Sequence, residues 1–174
     1  RPPQIIRRPP PPASGPRRGQ PERDLQKLVN RSIKSAYRGR VHIRDTNPEA
    51  RGAVNIGRPD IVGHSCGVHV EIELKVSRNY PSSEQKRELR QVGQTGALAM
   101  IVVHDRRGGG GGKYYVIPYP QCLKFSYKQM EYWMELPLYT SPDGKTYLNL
   151  SCIHSILVPQ MAIMASLATP PESQ

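Results

Sequence analysis

Acidic side chains are scarce. Fourteen Asp and Glu stand against 25 Lys and Arg, a formal net charge of +11 at pH 7. That imbalance points to an anionic partner, nucleic acid first and an anionic membrane second. Long hydrophobic runs are also missing. The longest candidate, ILVPQMAIMASLA at 156–168, is too short to span a bilayer and is broken by Pro159 and Gln160, so no membrane partner is expected. Cysteine is limited to Cys66, Cys122 and Cys152. Their wide spacing excludes a metal-binding cysteine motif, and their odd number fits reduced, mostly buried thiols in a protein that is not secreted. No secretory signal is visible, and the chain opens at Arg1 rather than Met, as a fragment or processed product would. An intracellular location is expected: cytoplasm or nucleoid, or a nucleus or organelle. There is no internal repeat.

What is present suffices for one domain with its own core across 174 residues. Residues 1–20, RPPQIIRRPPPPASGPRRGQ, carry five arginines and no acid. Such a segment cannot bury apolar surface, so a disordered or extended arm is expected, a plain linker or a non-specific holder of phosphates. The folded domain is expected over 21–168, with 169–174 a flexible tail.

The periodicity predicts a first helix over 21–37. Pro21 suits its first position, Glu22 and Asp24 suit its positive end, and Leu25, Leu28, Val29, Ser32 and Ala36 share a face with Ile33 beside it. RVHIRD at 40–45 alternates as a strand. A loop, with a short strand at 53–56, leads to a turn at 57–60. Ile61 and Val62 then pass through Gly63 and Gly67 to a long strand at 68–77. A second helix is predicted over 81–96, opened by a Ser82–Gln85 capping box, buried through Leu89 and Val92, and closed by Gly93 and Gly96. ALAMIVVHD at 97–105 reads as a central strand covered on both faces. A glycine loop with basic ends (106–113), a strand at 114–118, a helix over 121–136 and a strand at 144–151 follow. The order predicts an α/β fold, a mixed central sheet flanked by helices.

The strand at 68–77 poses the chemical question. Val68, Val70, Ile72, Leu74 and Val76 point one way, whereas His69, Glu71, Glu73, Lys75 and Ser77 point the other. A solvated strand face and an active site both fit that pattern. Asp60, in the Gly-x-Pro-Asp turn just upstream, favours the site. Two hard carboxylates, Asp60 and Glu73, with the backbone carbonyl of Leu74, suit Mg²⁺ or Mn²⁺. Lys75 would stand beside the attacking water or the charge developing on a phosphate. That set hydrolyses a phosphodiester.

GRPDIVG, VEIELK and SSEQKRELRQVGQTGALAMIVV together resemble the PD-(D/E)XK nuclease superfamily, and are most similar to its VRR-NUC type and to Holliday junction resolvases on the same core. The resemblance covers 22 to about 104. It implies a restriction-endonuclease-like core, metal binding by Asp60 and Glu73, and a water-directing role for Lys75. It adds Glu22, early in the first helix, as a further metal or catalytic residue, and Gln85 as a catalytic one. Each has a plainer rival: Glu22 as a helix-dipole residue with Asp24 its competitor, Gln85 as only a capping partner, Asp60 as a turn residue. Glu71 is expected to face solvent rather than a second metal. The five histidines, His42, His64, His69, His104 and His154, are read as surface or core residues.

Arg58, Lys86, Arg87, Arg90, Arg106, Arg107 and Lys113 are candidates for phosphate contact. The expected activity is that of a Mg²⁺-dependent endonuclease on branched or structured DNA, acting as a homodimer because two strands must be cut. The competing readings are a non-catalytic nucleic-acid-binding protein using its basic arm and loops, and an RNA-cleaving nuclease in which Tyr114, Tyr115 and Trp133 stack bases.

Overall fold

The computed structural model describes residues 20–46, 57–65, 67–154 and 156. The basic arm, the strand expected at 53–56, Cys66 and the C-terminal tail lie outside the described residues. Helix α1 runs Gln20–Ala36 and buries Leu25, Leu28, Val29, Ser32 and Ile33. Ala36 is exposed; the face is completed instead by Tyr37, whose larger side chain is 5 % exposed. Strands β1 (Val41–Asp45), β2 (Ile61–Ser65) and β3 (Val68–Val76) follow, then helix α2 (Ser83–Gln94), β4 (Leu98–Asp105), β5 (Lys113–Pro118) and β6 (Met134–Glu135). The six strands form one sheet in the order β1-β2-β3-β4-β5-β6. β3 and β4 pair in parallel and every other neighbouring pair in the sheet is antiparallel. A parallel pair needs a crossover, and α2 supplies it. The mixed α/β sheet flanked by helices expected from the element order is therefore what forms.

The two helices lie on opposite faces. Leu25, Leu28, Val29 and Ile33 of α1 pack with Val70, Ile72, Leu74 and Val76 of β3. Leu89 of α2 packs with Ala99, Ile101 and Val103 of β4 and with Ile117 of β5. β3 is thus covered on both sides and buried from Val70 onward, not half-exposed as simple alternation implies. A small hairpin, β7 (Leu138–Thr140) with β8 (Thr146–Leu148), closes over α1. There the Leu148 amide donates to Ser32 Oγ at 2.8 Å, and Ser32 donates onward to the Leu28 carbonyl at 2.7 Å. The buried serine is thereby satisfied on both sides.

Two expectations are corrected. Residues 121–136 do not form a helix. A 3-10 turn, Gln121–Lys124, gives way to irregular chain and then to β6. Phe125 and Tyr127, two residues apart, both enter the core against Leu89 and Ile117, and Trp133 stacks on Phe125 with ring centroids 5.4 Å apart. Period-two burial of large rings overrides helical propensity here. Gly93 is more than a helix terminator: a Cβ placed on it would come 2.4 Å from the Tyr119 ring, so only glycine lets β5's end pack against α2. Gly96, at φ +83°, does close the helix.

Candidate active site

The β2–β3 register pairs Ile61 with Ile72, which sets Asp60, one residue before β2, across from Glu73. Residues directly opposed share a face, so both carboxylates leave the sheet on the α2 side. One Asp60 oxygen, Oδ2, accepts from the Leu74 amide at 2.8 Å. The amide and carbonyl of one strand residue leave on the same side, so the Leu74 carbonyl also faces the Asp60 turn. Glu73 is 1 % exposed and Lys75 is 7 % exposed. The Lys75 ammonium donates to Glu73 Oε1 at 2.7 Å.

Gln85 reaches the same oxygen. The Ser82 amide donates to Gln85 Oε1 at 2.9 Å, and the Gln85 amide donates to Ser82 Oγ at 3.2 Å. That is the capping box predicted from the spacing. It consumes only the amide oxygen of the Gln85 side chain, and the nitrogen, Nε2, donates to Glu73 Oε1. The helix cap and the site contact are therefore two ends of one side chain, and the two readings of Gln85 are compatible.

Burial is the first cause of the shifts at the centre. It raises the Asp60 carboxyl, against the Leu74 amide and Lys75, which lower it. It pushes Glu73 up to about 8, with the Asp60 charge adding to the rise and Lys75 opposing it. Two carboxylates held together with less cation than they need bind either a proton or a metal.

Among the described residues no three His, Cys, Asp or Glu side chains converge as a cage for a metal ion. The donor set fits Mg²⁺ nonetheless, because that ion keeps several waters and is held through one or two carboxylates rather than an all-protein shell. Asp60, Glu73 and the Leu74 carbonyl are hard oxygen donors of that kind.

Glu22 lies exposed in the first turn of α1. Its Oε1 accepts from Asn79 Nδ2 at 3.4 Å, and its charge reaches Asp60, raising that carboxyl. Asp24, its rival, turns elsewhere: Oδ1 accepts from Gln20 at 2.8 Å, beside a pocket lined by Arg106 and Tyr114. Glu71 is 5 % exposed and meets the His69 ring at 2.8 Å, which corrects the expectation that it faces water. α2 covers that part of the strand face, and burial raises the Glu71 carboxyl with Glu88 contributing.

The expected phosphate contacts divide. Arg58, Arg87, Arg90, Arg106 and Lys113 are exposed and Lys86 is half-buried. Arg107 is exposed too, but its guanidinium is engaged with protein partners. Its guanidinium holds both oxygens of buried Asp105 at 2.9 Å, donates to the Tyr127 carbonyl and lies 4.9 Å from the Tyr127 ring centroid. Tyr114 stacks on His104 at 4.2 Å, and Tyr115 meets Trp133 edge-on with ring centroids 5.1 Å apart, so these rings are engaged with protein partners.

Two contributors leave little trace in the sequence. Gln26 donates to the Asp60 carbonyl at 3.2 Å and holds the turn that carries the carboxylate. Asn79 ties the end of β3 to Glu22. Gln26 stands four residues after Glu22 on α1, so helical spacing alone sets it on the same face; Asn79 has no comparable signal.

No protein-family model and no curated protein matches the chain. Among solved structures, a Holliday junction resolvase, Hjc, from Archaeoglobus fulgidus is similar at 18 % identity and a TM-score of 0.39. The match covers 66 % of this chain and 84 % of that one.

Proposed function

We propose that the chain is a Mg²⁺-dependent nuclease that hydrolyses phosphodiester bonds in DNA, with branched or structured DNA the preferred substrate and a homodimer the working form. The observation that supports it is the Asp60–Glu73 pair, Glu73 buried and Asp60 half-buried, with Lys75 and Gln85 both on Glu73 Oε1. Such an arrangement is costly for a binding module, which has no use for buried carboxylates near a phosphate. A bound Mg²⁺ (or Mn²⁺) would supply charge at the scissile phosphate and acidify the attacking water. Asp60, Glu73 and the Leu74 carbonyl would hold it, with Glu22 at the rim.

Gln85 and Lys75 fix the Glu73 carboxylate. The Lys75 ammonium, which rests on Glu73 Oε1, would orient the attacking water and stabilise the charge gathering on phosphorus. Water oxygen bonds to phosphorus and gives up one proton to solvent, the opposite P–O bond breaks, and the leaving oxygen takes up a proton from solvent.

The test is cleavage of junction, flap, duplex and single-stranded DNA, and of RNA, with and without Mg²⁺. Asp60→Ala, Glu73→Ala and Lys75→Ala should each remove cleavage, with circular dichroism showing intact folding. Undiminished cutting by a folded single variant removes that residue from the site. Cutting of RNA alone, or none with any metal, replaces this reading with the RNA-nuclease or the binding one.

A further inference from the structure

The outer face of α1 takes no part in the centre described above. Arg23, Lys27, Arg31 and Lys34 follow one another at spacings of four, four and three, and Arg38 stands four further on, just past the helix end. At 3.6 residues per turn these spacings keep the side chains within about 80° of arc, opposite the face that packs on β3. After Asp24 the helix has no acidic residue. Arg23, Lys27, Lys34 and Arg38 are exposed, and none of them makes an ion pair among the described residues.

A solvated helix face normally intersperses the two signs, because like charges three or four residues apart destabilise a helix. Here every such step along the stripe is repulsive. At its far end the stripe meets an open pocket of about 510 Å³ lined by Arg31, Lys34, Arg38 and Tyr147. Arg31 is fixed there, donating twice to the Thr146 carbonyl at 3.0 and 2.7 Å, with its guanidinium 5.5 Å from the Tyr147 ring. Lys34 and Arg38 line the same pocket and make no ion pair among the described residues. At its near end the stripe starts beside Glu22, at the rim of the candidate active site.

We infer that the outer face of α1 is a second binding surface, separate from the Asp60–Glu73 centre, that holds the phosphate backbone of a DNA duplex running away from the point of cleavage. The inference rests on the reading that the substrate is DNA. The span fits: from Arg23 to Lys34 the helix rises about 16 Å, and duplex DNA presents one negative charge per about 1.7 Å of axis.

The experiment is the salt dependence of duplex affinity, measured on the full chain in chelator so that no strand is cut. Removing one cation that neutralises a phosphate should flatten the slope of log affinity against log salt by about 0.9. The triple variant Lys27→Gln, Lys34→Gln, Arg38→Gln should flatten it by about 2 to 3. A charge-matched control, Lys124→Gln, Lys128→Gln, Lys145→Gln, takes lysines off the rest of the surface and should leave it nearly unchanged. If the triple variant does not fold, Lys27→Gln and Lys34→Gln taken singly should each flatten the slope by about the amount expected for one phosphate. An unchanged slope, or an equal fall in the control, overturns the proposal. So does loss of binding to phosphatidylserine vesicles in the triple variant with its DNA slope intact, which would make the face a membrane contact. A chain that cuts nothing with any metal but loses slope in the triple variant would refute the nuclease reading and leave this surface standing.

Discussion

Glu73 carries a definite pH signature. Its carboxyl is raised to about 8, against an ordinary value of 4.5, by burial and by the Asp60 charge. The folded, metal-free protein therefore binds a proton that the unfolded chain releases above pH 4.5. Stability from this group is fully present below that value and is lost as pH rises toward 8. At about 1.36 kcal/mol per unit the loss is at most on the order of 5 kcal/mol. Urea melts of the metal-free protein at about pH 5 and about pH 8 should show the decline, and Glu73→Gln should flatten it, because glutamine does not titrate. A decline of equal size in the variant would assign the slope to other groups. If Mg²⁺ takes the same oxygens, its affinity should rise over that pH range.

α2 couples its own cap to the candidate site through Gln85, which caps the helix with one end of its side chain and holds Glu73 with the other. Ser82→Ala removes the hydroxyl that accepts from the Gln85 amide and should cost about 1 kcal/mol in stability. Turnover should fall by more than that loss explains, since Gln85 is no longer held over Glu73. A variant that loses stability but keeps its turnover number would separate cap from site. This element is legible in the sequence because Ser-x-x-Gln is a local signal, with both partners inside one turn. Asp60 and Glu73 are legible for a similar reason: a proline-aspartate turn and a strand of period two each declare themselves over a few residues. What stays hidden is non-local. Glu71 reads as solvent-facing because nothing within β3 announces that α2 lies over it. The aromatic stretch at 121–136 reads as a helix because its destination, the surface beneath Leu89, is set by a partner distant in the chain. Gly93 looks like a terminator until Tyr119 stands against it.

At the scale of the whole molecule, positive charge surrounds a small negative centre. Without metal, Asp60 should repel an approaching phosphate; with Ca²⁺ in place that charge is offset and the phosphate can bridge to the ion. DNA affinity at constant ionic strength should thus be higher in Ca²⁺ than in chelator. The Asp60→Asn, Glu73→Gln double variant should bind well in both, and equal affinity of the intact protein in both conditions would contradict the nuclease reading. One architectural fact bears on how long that centre persists. β3 lies between β2 and β4, under a helix on each face, so its amide hydrogens are reached only when much of the sheet opens. Deuterium uptake at Glu73 and Lys75 should rank among the slowest in the chain, while the β7–β8 hairpin, the turn carrying Asp60 and the Leu74 amide that its carboxylate holds exchange early. The centre then consists of a permanent half and a yielding half. Transient opening would release Asp60 without disturbing Glu73, and the two carboxylates would part long before the molecule unfolds.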